Sequence, residues 1–539
     1  MLFLLSAPSK SSAKKMVPVG VVLAIPGLID LTITSARSVA SRIQTYRNAK
    51  ELFNDHLNVS SIQVAQLTIC LEFVGDITAF LTSDVGAQLY NTLSRLSRSL
   101  EATLTTLDRG IDKDGNIRRL WYTTLGKSAL KRDLDEVEKN QVLLQRAVQI
   151  AALYGGPKVA PYLTEVRLSG NSALARVQRL REAIQSRLNN DANTPKMLLD
   201  RRDVPAGKRM ALPYSEIQLV MSETSEPSPL ALIEYRARDS PDMRTVRDIA
   251  LILSGTDLSM AMLPCRGFVP IAEANRCELV FPLPTNMGHI RPRTLRELLL
   301  SPDNVHGVHF SLNSRIKLAQ RIATAILFVH TAKLVHKNIR PENIVILETL
   351  GTSTNGGGGG GGGSGRVLEI GDSFLVGFDF VRKEDSASAR VGDDDWHRNI
   401  YRHPQRQGIH PEVNFNMLHD VYSLGVVLLE IALWRSFVLI EKDSYGRLKY
   451  AGNKEACRFI DKKTGIPKSP AEVREEFVKR AGAAIGPALG NRYRDTVVMC
   501  LNCLDGGFGD PEELVDQDGV LVGLAYIEKV LTTLDEIAV

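Results

Sequence analysis

Three short stretches of this 539-residue sequence carry side chains grouped as chemistry would need them. Residues 336–343 read His-Lys-Asn-Ile-Arg-Pro-Glu-Asn, which places an imidazole, two amides and a carboxylate close together. Leu375-Val-Gly-Phe-Asp379 adds the carboxylate of Asp379, and Asp420 opens the stretch Asp420-Val-Tyr-Ser-Leu-Gly425. Carboxylates and imidazoles move protons, and carboxylate oxygens are the usual grip on a hard divalent cation. Asn338 cannot take a proton from an alcohol, so general-base work falls away at that position. Cys500 and Cys503 form a C-x-x-C. With no second pair nearby and a helical setting, they read as ordinary thiols rather than a metal or redox site. The eight successive glycines within Gly351–Gly365 are followed by no Lys-Ser/Thr and open no helix. They are a flexible surface loop, not a phosphate cradle.

Elements must hold these groups. At 44% hydrophobic, 24% charged and 6% aromatic residues, the chain is no disordered, collagen-like or disulfide-framework protein, and its length suggests two or three domains. Six cysteines without a dense array suggest reduced thiols and an intracellular, cytoplasmic setting. The 66 basic and 61 acidic residues leave +5, which demands no nucleic-acid partner. Residues 336–343 lie between an amphipathic helix predicted over about Ser314–Thr331 and a strand over Ile344–Leu347. A further strand is predicted over Phe374–Phe380, with weaker ones at Ile217–Val220 and Leu230–Arg236 and a helix around Met243–Leu253. Upstream, the sequence is helical in pattern. Val64, Leu67, Leu71, Val74, Ile77 and Leu81 make one stripe; Leu89, Leu93, Leu96, Leu100, Leu104 and Leu107 make another; Leu130, Leu134, Val137, Leu144 and Val148 make a third. With the apolar Met16–Ile33, which Pro18, Pro26 and Asp30 interrupt as a membrane span, these predict a four-helix bundle over 17–155 after a tail at 1–16. Residues 156–206 read as a bracing helix and a polar linker.

The segment 336–343, with its helix before and strand after, resembles the protein kinase catalytic loop H-R-D-x-x-x-x-N. Leu279-Val-Phe-Pro-Leu-Pro284 resembles the fifth strand and hinge, and Gly377-Phe-Asp379 falls where D-F-G would stand. His403-Pro-Gln405 resembles a degraded A-P-E, and Asp420 with the apolar run after Gly425 resembles the anchor of the larger lobe. The resemblance implies an α+β bilobal kinase-like fold over 207–539, with a smaller lobe over 207–284 and a larger one over 285–539. It also implies losses. Asn338 replaces the proton-accepting Asp, Gly377 the metal-binding Asp, and Asp379 the glycine. Arg236 is the best match for the phosphate-pairing lysine, with no glutamate in the next helix to partner it. Only Asn343 keeps its family identity, as a metal ligand and with Arg236 the remaining nucleotide contact. His336 and Asp420 are then expected as packing and backbone-bonding residues. The cleft is expected to lack an acid placed to hold a divalent ion, to need no cofactor and to allow at most metal-free ATP binding.

Gly20-Val-Val-Leu-Ala-Ile-Pro-Gly-Leu-Ile-Asp30 resembles the first helix of fungal HeLo and HeLo-like domains of the HET-S, prion-inhibition type. The order of bundle, brace and degraded kinase resembles the layout of mixed-lineage kinase domain-like proteins. These resemblances imply a cell-death or incompatibility effector. Val22, Leu23, Ile25, Leu28 and Ile29 would then be its membrane-active side chains, and it would be recruited to the plasma membrane and self-associate. Residues 1–155 hold 18 Lys+Arg against 14 Asp+Glu, hence +4 of the total +5. Arg118, Arg119, Lys127, Lys131 and Arg132 cluster near one connection, where an anionic leaflet would attract each basic group by about 1 kcal/mol. Two alternatives follow from the same residues: an active atypical Ser/Thr kinase using Asn343, Arg236 and Asp379, and a soluble scaffold docking a receptor-type NTPase.

Overall fold

The computed structural model describes residues 19–48, 60–81, 83–112, 118, 126–154, 156–189, 196–224, 227–237, 243–284, 290–301, 310–349, 369–383, 392–445, 447–461, 463, 467–507 and 530–537. The tail at 1–16, Arg119 and the loop Gly351–Gly365 lie outside them, as do the side chains of Val22 and Leu23. By contact density the chain divides into two compact units, Met1–Gln178 and Arg179–Val539.

The first unit is helical. Helix α1 spans Val19–Asn48, α2 Ser60–Ile77, α3 Ser83–Arg109 and α4 Lys127–Tyr154. A short α5 (Glu165–Gly170) precedes α6 (Ser172–Asn189), within which the division between the units falls. The leucine stripe of α3 forms the middle of the core, with Leu89, Leu93, Leu96 and Leu100 all buried, because apolar residues at steps of three and four fall on one side of a helix. Leu67, Leu71, Val74 and Ile77 of α2 and Leu130, Leu144 and Val148 of α4 are buried likewise. Polar ties set the helix ends. The buried Tyr46 hydroxyl donates to the Leu107 carbonyl at 2.8 Å, and Thr106 donates to Asp133 of α4 at 2.6 Å. Ile25 and Ile29 of α1 are buried and Leu28 is half-buried. No helix among the described residues is long and apolar enough to cross a membrane.

The second unit is α+β. Strands β1 (Lys208–Ala211), β2 (Gln218–Met221), β3 (Pro229–Ala237), β4 (Gly267–Ile271) and β5 (Arg276–Pro282) form an antiparallel sheet in the order β1-β2-β3-β5-β4. Helix α7 (Arg244–Ser254) joins β3 to β4. A mostly helical part follows. It comprises β6 (Ile290–Thr294), α8 (Leu295–Leu299), α9 (Leu312–Thr331), β7 (Leu334–Val335), β8 (Ile344–Thr349), β9 (Asp372–Leu375) and β10 (Arg382–Lys383). After these come α10 (Trp396–Asn399), α11 (Met417–Leu433), β11 (Val438–Lys442), β12 (Leu448–Gly452), α12 (Pro470–Leu501) and α13 (Thr532–Asp535). Ser311, Asn416 and Ser469 cap α9, α11 and α12 by accepting from backbone N–H groups of the first turn. Helix α11 is buried from Met417 through Ala432. Gly425 lets α12 approach it, since a Cβ there would sit 2.8 Å from the Cys500 Cβ.

The strand predicted over Phe374–Phe380 ends at Leu375. Gly377 has φ +83°, which turns the chain out of extended geometry and into a short 3₁₀ turn over Phe378–Phe380. All six cysteines are free and buried. Burial pushes the Cys503 thiol up to about 12 and Cys500 well above its ordinary value, so neither is poised as a thiolate ligand or nucleophile.

Candidate functional site

Side chains alternate along a strand. On β3, Ala231 and Ile233 join Val220 and Val280 in the sheet core, which turns Leu232, Glu234 and Arg236 to the other face. Glu234 is 2% exposed. Its two oxygens accept the backbone N–H of Gly377 at 2.9 Å and of Phe378 at 2.7 Å. Burial raises its carboxyl to about 7, against the lowering effect of those two hydrogen bonds. Arg236 donates to the carbonyls of Phe378 at 3.0 Å and Asp379 at 2.7 Å. One strand therefore holds both the amide and the carbonyl groups of the 377–379 turn. Nothing in the composition singled out Glu234. The available signal was a lone acid between buried apolar neighbours, which a fold tolerates only when it is bonded.

Gly377 packs directly on Asn343. A Cβ at 377 would lie 2.4 Å from Asn343 Cγ, in a backbone conformation that side chains avoid. Asn343 donates through Nδ2 to the Asn338 carbonyl at 2.7 Å, and its own carbonyl accepts the Val376 N–H at 2.9 Å. Asn338 in turn donates through Nδ2 to Asp379 Oδ1 at 2.9 Å. The 336–343 loop is thus tied to the 377–379 turn by amides.

Asp420, at the start of α11, anchors the loop from below. Its oxygens accept the N–H of His336 at 2.7 Å and of Lys337 at 2.8 Å, and His330 Nε2 lies 3.2 Å away. His336 is fully buried, and burial holds its imidazole down to about 4 although Asp420 pulls the other way. At neutral pH the ring is uncharged. It meets the edge of Phe378, centroids 4.9 Å apart, and Phe378 stacks on Phe281 at 6.2 Å.

The fold gathers Asn338, Asn343, Gly377 and Asp379 around one cleft, with Glu216, Glu234 and Arg340 also in its wall; Arg236 is not in the wall. Three carboxylates therefore line a cleft that the motifs alone suggested would hold no suitably placed acid, because Glu216 and Glu234 lie outside those motifs. Their bonding decides what they can do. Glu234 spends both oxygens on backbone N–H groups and Asp379 commits Oδ1 to Asn338. Among the described residues, no three His, Cys, Asp or Glu side chains are grouped to hold a metal. The cleft is shallow and open to solvent.

Of the remaining positions, His403 begins a 3₁₀ turn over Pro404–Arg406 and stacks edge-on against Tyr422 at 5.1 Å.

No family model matches the chain, and no curated protein does. Among solved structures it is similar to a chain in the CAK complex from Chaetomium thermophilum bound to ATP-gamma-S. That likeness has 14% identity and a TM-score of 0.33, over 60% of this chain and 89% of that one, too slight to define fold or function.

Proposed function

We propose that the second unit is a protein kinase-like fold that has become a binding and switching module, and that it governs the helical unit as a membrane-acting effector of the HeLo type. The observation carrying the first half is the contact of Gly377 with Asn343. At the two positions where the family holds metal, one offers no side chain and the other fills the space that side chain would need. Phosphoryl transfer rests on positioned metal and charge, and removal of the general base at Asn338 adds a loss of about 10²–10⁴-fold. For the second half, support comes from α1. Its Ile25 and Ile29 are stowed in the bundle, while Pro26 removes one backbone bond from the same turn. A helix so interrupted is less costly to release.

The kinase half is tested with radiolabelled ATP and Mg²⁺. No incorporation above the Asn343→Ala background is expected, and magnesium-dependent incorporation lost in that variant would establish the atypical-kinase reading, which draws on the carboxylates of the cleft wall. The effector half is tested by dye release from anionic vesicles with the full chain. Triggered release that Ile25→Glu abolishes is expected. Release indifferent to that change, or none under any condition that oligomerises the chain, would favour the soluble scaffold.

A further inference from the structure

We propose that the outer edge of β4 is a strand-acceptor site, filled by the chain's own residues 197–199 and open to the same residues of a second copy. A sheet edge offers backbone N–H and C=O groups to any strand that reaches it. Phe268 of β4 donates its N–H to the Met197 carbonyl at 2.8 Å, and its own carbonyl accepts the Leu199 N–H at 2.9 Å. Leu198 lies parallel to Phe268 between those two bonds. The added strand comes from the segment between α6 and β1, which the sequence presents as a polar linker.

The edge is shaped to receive it. Gly267 has φ +150°, and a Cβ there would fall 2.4 Å from the Met197 carbonyl oxygen and 2.8 Å from Leu199 Cγ, so a side chain at 267 displaces the strap. Met197 is buried. Leu199 and Val204 pack on the sheet core of Val220, Ala231, Ile233 and Val280. Between those two anchors, Asp200 and Asp203 form a capping box around the turn Arg201–Asp203, which gives the strap a local shape of its own. Outward positions alternate along a strand, and the one after Phe268 is Pro270, which has no N–H to offer. The site therefore takes a short strand with apolar residues two apart.

Strap and edge belong to one sequence, so a second copy brings every one of these contacts without new complementarity, the condition for exchange of an element between protomers. The polar ties to be broken are few: the two backbone hydrogen bonds and one exposed ion pair, Arg201 with Glu273 at 3.6 Å. Within one chain the strap has an effective concentration on the order of millimolar. A dilute chain thus closes on itself, and exchange belongs to copies held close together. Exchange at β4 is independent of what the cleft holds and of whether the helical unit meets a membrane.

The probe is a fluorescein-labelled peptide of residues 196–204, titrated with the full chain and read by anisotropy. Leu199→Asp expels the chain's own strap and should bind the peptide about tenfold or more tightly than wild type does. Methylating the peptide's Leu199 nitrogen removes the bond to Phe268 and should weaken binding about tenfold, a change that no folding defect imitates. Gly267→Ala closes the edge and leaves the strap free. Neither variant pairs with itself, but an equimolar mixture of the two should form a one-to-one complex in sedimentation velocity. No saturable binding of the peptide to Leu199→Asp, or equal binding of the methylated peptide, overturns the proposal. Peptide binding without the mixed complex overturns the second copy as occupant. Should Leu199→Asp fail to fold, Met197→Asp carries the same readouts.

Discussion

The amide of Asn338 and the acid of Asp379 are matched: one donates and the other accepts, 2.9 Å apart. Restoring the family acid with Asn338→Asp would set two carboxylates against each other. One would keep its proton, so its folded pKa would lie above the unfolded value. Stability in that variant is then intact at acid pH and falls as pH rises through the raised pKa, by about 1–3 kcal/mol at pH 7; urea titrations from pH 4 to 8 should show it. Glu234 gives a second, independent test. Its folded pKa of about 7 exceeds the ordinary 4.5, so wild type loses stability as pH climbs between those values. Glu234→Gln removes that loss. Its stability relative to wild type should rise by about 3 kcal/mol from pH 4.5 to pH 7.5, on top of a constant deficit from one mismatched N–H contact. A flat difference would show that Glu234 is ionised without cost. Sequence motifs led to Arg236 because the family has a cation on that strand. They could not reveal that Glu234, two residues earlier on the same face, takes the cleft position, since it lies outside every motif that carried the resemblance.

Helix α8, the 336–343 loop and α11 meet at one buried cation. Arg296, fully buried, bonds Glu342 through Nε and Nη2 at 3.3 Å and lies 3.3 Å from Glu430. It also donates to Tyr401 at 2.6 Å and to Ser436. Arg296→Met leaves two acids without their cation and is expected to cost about 3–5 kcal/mol, read by chemical denaturation. Adding Glu342→Gln and Glu430→Gln to it should recover part of that loss. Elsewhere, two long helices were legible. The apolar periodicity of α9 and the leucine stripe of α3 gave helices within a few residues of those observed. The end of β9 was not legible as Leu375, because Val376 and Phe378 look strand-like and only a left-handed Gly377 turns the chain between them. The Arg296 network escaped notice for a different reason. Its members lie up to 140 residues apart, and no local pattern links them.

At the scale of the whole chain, the two compact units have separate cores. Scanning calorimetry should resolve two transitions. Leu93→Ala, in the core of the helical unit, should lower one of them by the equivalent of about 2–5 kcal/mol and leave the other in place. A single transition that moves as one would show that the units melt together. In the sequence the texture changes near residue 207, from helical stripes to short apolar runs, whereas the compact units divide between Gln178 and Arg179. The cysteines make the prediction countable. Cys70 is buried in the helical unit, whereas Cys265, Cys277, Cys457, Cys500 and Cys503 are buried in the other. A maleimide dye should therefore find the native chain almost inert, modify one sulfur when the bundle opens, and modify five when the remainder does. Mass spectrometry after a brief pulse would then report which half gave way first, with no engineered label.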